Sequence, residues 1–260
     1  MTEPLSQNPR DSVFTTVVWD HGEHLADLDA HLHRMEEHAR RLRIAWPDNM
    51  RSEIERVWKE TIEPKEVPGT MSPRGLIRIE WSRIGELSIE PREVSFRNEG
   101  VEAITLPAPR WSPRINGTKH GDWEPYVEAM KEADSKGADL ALLVHNFAIV
   151  DADRATPLVF DEDGTAWISE ATEGGVESVT VDVLIPLLHA EGIPVNRGRL
   201  NERLVARALE MSAIGSGIGA ARIEAIDGER IGSENGLTEK CQSLLSQHYQ
   251  NKNTWSHVGA

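Results

Sequence analysis

Residues 13–19 (Val-Phe-Thr-Thr-Val-Val-Trp) are β-branched and aromatic and run into Asp20-His-Gly22, which predicts a strand closed by a turn. Leu28, Leu32, Met35, Ala39 and Leu42 then recur in steps of four and three. That spacing puts them on one helical face, with Asp27 or Asp29 available as a cap. Ile54, Val57, Trp58 and Ile62 predict a second amphipathic helix. Residues 76–82 alternate as a half-buried strand does, and residues 101–106 predict another. The first block therefore mixes strands with two helices.

Three prolines between Pro107 and Pro113 cannot continue a helix or a central strand. The pattern thus predicts a small N-terminal domain over 1–106, a linker over 107–114 and a larger C-terminal domain over 115–260. In the second block, residues 124–136 predict a helix, and 140–144, 158–160 and 166–168 predict short apolar strands, the last after the Asp163-Gly164 turn. Residues 181–190 predict a helix ending near Gly192 and Pro194. Asn201 is placed to cap a helix carrying Leu204, Val205, Ala208 and Leu209. Residues 221–231 predict a hairpin with Asp227-Gly228 at its tip, and 238–249 a closing helix. Both ends of the chain are polar and are expected to fray.

The chain has 260 residues, 39% hydrophobic and 27% charged, enough to bury a large core and too apolar for wholesale disorder. A net charge of -15 argues against a nucleic-acid or anionic-membrane partner. No apolar run is long enough to span a bilayer, and the first ten residues lack the apolar core of a signal peptide. The single cysteine, Cys241, excludes an internal disulfide and suits a reducing, cytoplasmic setting.

Taken one at a time, the candidate residues each have a bland explanation. Lys119 follows Asn-Gly-Thr, as solvated loop lysines do; Arg34 could sit on a polar helix face; Thr180 and Ser216 could be ordinary caps. Five of the ten histidines (His21, His24, His31, His33, His38) fall within eighteen residues, without a cysteine or a His-Glu-x-x-His pattern, which favours surface scatter over a metal site. On a helix, His31 and His38 share a face. Residues 214–219, Ile-Gly-Ser-Gly-Ile-Gly, invite a dinucleotide-binding reading, set aside because no buried strand is predicted before them and no acidic ribose partner comes after. Arg83 could reach a substrate carboxylate, although a surface ion pair is the commoner fate.

Order and spacing add what single residues lack. Phe14-Thr-Thr16, His31-Leu-His-Arg-Met35, Ala39 and Leu42 are followed by Ile115-Asn-Gly-Thr-Lys-His-Gly-Asp122, Gly175-Val-Glu-Ser-Val-Thr180, Gly215-Ser-Gly217 and Ile226-Asp-Gly228. Over roughly residues 11 to 248 this resembles the class IV (fold type IV) pyridoxal-phosphate enzymes, which include branched-chain and D-amino-acid aminotransferases and aminodeoxychorismate lyase. The resemblance implies an α+β, two-domain fold of the D-amino-acid aminotransferase kind, with a small N-terminal α/β sandwich and a larger, β-barrel-like C-terminal domain with helices. It implies pyridoxal 5'-phosphate as cofactor, bound as a Schiff base on Lys119, with Arg34, Thr180 and Ser216 on its phosphate. The acid facing the ring nitrogen would be Asp151, or Asp153 if the register shifts, where the family usually has glutamate. Ser178, Val181, Thr156 and Glu124 stand where the family usually has glycine, arginine, asparagine and tyrosine, with Tyr126 a nearby substitute. The implied activity is amino-group transfer between a small amino acid or amine and a 2-oxo acid. Lys119-His120 and Phe14-Thr-Thr16 look like the lyase branch, which releases pyruvate from aminodeoxychorismate. The departures leave a non-catalytic descendant as a third reading. Family members are typically homodimers.

Overall fold

The computed structural model describes residues 8–63, 71–92, 100–232 and 236–259. Of these residues 32% are helical and 34% lie in strands, so neither class dominates and the α+β expectation holds. The chain forms two compact units: Met1–Val94 with Thr118–Trp123 and Gln247–Ala260, and Ser95–Gly117 with Glu124–Ser246. These boundaries differ from the predicted ones. Residues 107–114 fall inside the second unit because the strand Val101–Pro107 pairs with two of that unit's strands. Residues 118–123 join the first unit, where His120 bridges Val13.

The first unit holds an antiparallel five-stranded sheet in the order Trp255–His257, His24–Ala26, Ser12–Trp19, Gly75–Ser82, Leu87–Arg92. Seven of eight positions in Ser12–Trp19 are buried, so its apolar residues need not alternate with polar ones. The helices Leu28–Leu42 and Met50–Thr61 appear as predicted. The first buries Leu28, Met35, Ala39 and Leu42 but also His31 and His38, so two of the five clustered histidines are core residues rather than surface scatter. Asp27 occupies the N-cap position of that helix, as expected, but its side chain makes no cap hydrogen bond; the carboxylate pairs with His248 at 2.9 Å instead. The C-terminal segment is not frayed: Trp255–His257 pairs with His24–Ala26, and Trp255 is buried with its indole N–H donating to the Tyr249 carbonyl. The first seven residues, expected to fray, lie outside the described ones.

The second unit is built on a ten-stranded mixed sheet that curls into a nearly closed barrel. Its order is Val195–Gly198, Ala166–Ser169, Thr156–Asp161, Ala208–Gly215, Gly219–Ile226, Val101–Pro107, Leu140–His145, Ala148–Ala152, Leu200–Asn201, with Glu229–Arg230 paired on Gly219–Ile226. Val101 and Ala103, Leu140 and Leu142, Met211 and Ala213, and Ala221 and Ile223 are alternate residues of four strands and fill one core. Asn201 caps a helix as predicted, accepting the Leu204 N–H at 3.0 Å, but that helix stops at Ala206. Ala208 and Leu209 begin a strand instead, so a buried strand does precede residues 214–219. The chain then turns into the antiparallel strand Gly219–Ile226 and not into a helix, which removes the dinucleotide reading on better grounds. The helix Leu237–Gln250 starts on Glu210, a fully buried carboxylate that accepts the Leu237 and Thr238 N–H groups. None of the described helices is long and apolar enough to cross a membrane.

Candidate functional site

The candidate residues divide between the units, and each set has its own geometry. In the first unit, Lys119 is half-buried, with Nζ 4.7 Å from the Trp123 ring centre and 5.0 Å from that of Phe14. The two rings meet edge to face at 5.1 Å. Phe14 also stacks under the Arg78 guanidinium at 3.6 Å, and Arg78 is paired with Glu80 at 2.8 Å. The main chain of Lys119 is tied on both sides: its N–H donates to His38 Nδ1 at 3.2 Å, and its carbonyl accepts the Phe14 N–H at 3.3 Å.

Arg34 projects from the helix Leu28–Leu42 and donates to Thr15 Oγ1 at 2.7 Å, while Thr15 Oγ1 lies 2.8 Å from His31 Nδ1. A guanidinium only donates, so Thr15 Oγ1 accepts from Arg34, and the same oxygen joins Arg34 to His31. His31, His38 and His120 are 3%, 2% and 1% exposed. Burial holds His31 and His38 well below the ordinary imidazole range, and the charges of Arg34 and Lys119 push both further down. His120 is pushed down to about 4 by burial, against the opposing pull of Asp122. At neutral pH the cluster therefore sets the Arg34 guanidinium and the Lys119 amine beside three uncharged imidazoles.

In the second unit, Thr180 and Ser216, 36 residues apart in sequence, bring their hydroxyls to 3.1 Å. Thr180 lies in the first turn of the helix Val179–Ala190, which Ser178 caps by accepting the Val181 N–H at 3.4 Å. First-turn N–H groups have no intrahelical partner and favour an anion. Ser216 comes directly after the strand Ala208–Gly215, at the turn into Gly219–Ile226.

Asp151 and Asp153 are both buried, but their partners differ. Asp151 Oδ2 accepts the Tyr126 hydroxyl at 3.2 Å and the Val176 N–H at 3.0 Å, which ties it to the segment leading into Thr180. Asp153 is engaged elsewhere: it accepts the Ala141 N–H at 3.3 Å and pairs with Arg154 at 3.2 Å, while burial raises its pKa to about 6. Gly175 permits the Asp151 arrangement, because a Cβ there would lie 2.1 Å from the Val150 carbonyl oxygen. Glu124 is exposed and pairs with Lys131, whereas Tyr126 is buried, stacked on Trp111, and kept protonated by burial and the Asp151 charge. Asp151, Thr156, Ser178, Val181 and Arg197 line one cleft of this unit.

Sequence reasoning missed His38 as a partner of Lys119, although it shares a helical face with His31, and it missed Arg197 altogether. Arg83 meets its expected fate, a surface ion pair with Asp11 at 3.7 Å.

Residues 12–226 match the model of the amino-transferase class IV family, and the chain belongs to that family. A hypothetical aminotransferase from Mycobacterium tuberculosis, in its PLP-bound form, is similar at 20% identity with a TM-score of 0.76, over 96% of this chain and 94% of that one. A provisionally assigned 4-amino-4-deoxychorismate lyase from Legionella pneumophila is similar at 16% identity and TM-score 0.78, over 95% and 97%. The branched-chain aminotransferase of Thermoproteus uzoniensis with norvaline gives 17% identity and TM-score 0.78, over 96% and 90%. At these identities the likeness is one of fold. No protein of curated function matches the sequence.

Proposed function

We propose that this chain is a pyridoxal-phosphate-dependent class IV aminotransferase. In that reading Lys119 Nζ would meet the cofactor aldehyde, Arg34, Thr180 and Ser216 would hold its phosphate, and Asp151 would face its ring nitrogen. The observation that carries this reading is the setting of Lys119: a half-buried amine walled by Phe14 and Trp123, in one cluster with the Arg34 guanidinium. The donor chemistry suits the group. A guanidinium and two hydroxyls, one of them in the first turn of a helix, match a phosphate, and a carboxylate matches a protonated pyridine nitrogen.

When bound, the cofactor supplies an electron sink for the substrate α-carbon. The protein supplies the rest. Phe14 and Trp123 place aromatic surface beside the Lys119 amine, and Tyr126 and the Val176 N–H orient the Asp151 carboxylate. Lys119 Nζ would take the substrate α-proton and return it, as a general base at a fixed point. Substrates of this reading are a small amino acid or amine and a 2-oxo acid, and we infer a homodimer working in the cytoplasm. The buried thiol of Cys241, pushed up to about 12, accords with a reducing compartment.

A second reading, aminodeoxychorismate lyase, is favoured by His120, the buried neutral imidazole directly after Lys119. A third, a family member without catalysis, is favoured by Asp151 and Val181 in place of the glutamate and arginine of the family pattern. One experiment separates them. Purified protein given pyridoxal phosphate should develop a yellow absorbance that Lys119→Ala lacks, then consume an amino donor with a 2-oxo acid. Pyruvate release from aminodeoxychorismate without an acceptor would select the lyase. A protein that stays colourless would leave the third reading.

A further inference from the structure

We infer that His38 is a positioning residue for Lys119: its Nδ1 accepts the lysine's main-chain N–H and sets the point from which the reactive side chain starts. The inference rests on the cofactor reading above and extends it to a residue that the family resemblance does not assign.

Lys119 lies outside any helix or strand, so no regular ladder takes up its N–H. A backbone donor in that position needs another acceptor. It finds one 81 residues away in sequence, on the buried face of the helix Leu28–Leu42, at 3.2 Å. Because the donor is an amide N–H, His38 Nδ1 must present a lone pair, and the ring proton must sit on Nε2. The helix therefore grips Lys119 through its N–H while the strand Ser12–Trp19 grips it through its carbonyl, and the Val13–His120 bridge extends that hold by one residue.

Two further observations bear on the imidazole itself. It is 2% exposed, and the charged and titratable groups around it are Arg34, Arg41, Lys119 and His120, all of which disfavour a second ring proton. An imidazolium would carry a proton on Nδ1 and could no longer accept, so the same surroundings that keep His38 neutral keep the contact intact. The lysine side chain adds four rotatable bonds beyond its Cα, and Nζ lies near two aromatic rings. An anchored main chain limits where those bonds can carry the amine, which is the geometric requirement for reaction with an aldehyde.

The test compares pyridoxal phosphate, which can react with an amine, with pyridoxamine phosphate, which cannot. His38→Ala should weaken binding of the aldehyde form about tenfold, the loss expected for one hydrogen bond. It should leave the affinity for the amine form within about twofold. His38→Asn, whose Oδ1 stands where the imidazole Nδ1 stood, should restore most of the difference. Equal weakening of both ligands, no weakening of either, or failure of the asparagine to rescue would overturn the assignment. If the wild-type protein binds neither ligand, the proposed function fails instead. Should the alanine variant not fold, nitrogen NMR of the wild-type imidazoles answers the question directly. His38 should carry its proton on Nε2, and a proton on Nδ1 would overturn the proposal.

Discussion

The two units present their candidate groups by opposite means. The first relies on charge. Lys119 and Arg34 lie beside buried imidazoles that are uncharged, and Lys119 Nζ lies close to the Phe14 and Trp123 rings. The second relies on hydrogen-bond direction, with two hydroxyls, a helix start, and a carboxylate held by a phenol and an amide N–H. Electrostatic arrangements fail when protonation changes. Directional ones fail when the backbone moves, so different perturbations should expose each.

Gly175→Ala should have the largest effect, confined to the second unit. Its Cβ would meet the Val150 carbonyl oxygen at 2.1 Å, and relieving that overlap should cost about 3 kcal/mol. Denaturant unfolding reads the loss, and an unchanged midpoint would refute the close approach.

Acidification should strike the first unit to a similar extent. His31, His38 and His120 are uncharged in the fold but titrate near their ordinary value when unfolded. The unfolded chain then binds more protons, and stability falls as pH drops below about 6.5. Asp153, in the second unit, runs the other way. Its folded pKa of about 6 lies above the unfolded value of 3.8, so its contribution grows as pH falls between those limits. The net loss from pH 7 to 5.5 should be on the order of 3 kcal/mol. Hydrogen exchange should place it in residues 28–42 and not in the barrel; uniform loss of protection would contradict the contrast.

The ligand contacts should differ in size in the same sense. Arg34→Ala should weaken cofactor binding by about 2 kcal/mol, and Ser216→Ala by about 1 kcal/mol, since a charged donor outweighs a neutral hydroxyl. Equal losses by equilibrium dialysis would erase the distinction. Tyr126→Phe should have the smallest effect, about 1 kcal/mol or less of stability, with a shift in the visible absorbance of bound cofactor as Asp151 loses a donor.

Legibility in the sequence runs along the same divide. The helix Leu28–Leu42 was readable because its apolar spacing is regular, yet the burial of His31 and His38 was not, since histidine counts as polar in any such pattern. The strand Ala208–Gly215 was hidden because Leu204, Val205, Ala208 and Leu209 share helical spacing, while pairing with Thr156–Asp161 decides the outcome. Leu87–Arg92 escaped notice as an edge strand with one buried residue, Ile89, and a proline. The family order of Lys119, Arg34, Thr180 and Ser216 was legible from motif spacing. The different partners of Asp151 and Asp153 were not, since they depend on which of the two Tyr126 and Val176 reach.

The most direct measurement is chemical. Protein incubated with pyridoxal phosphate, treated with borohydride and digested should yield one pyridoxyl-modified peptide, carrying the label on Lys119. A label spread over other lysines, or none at all, would contradict the account.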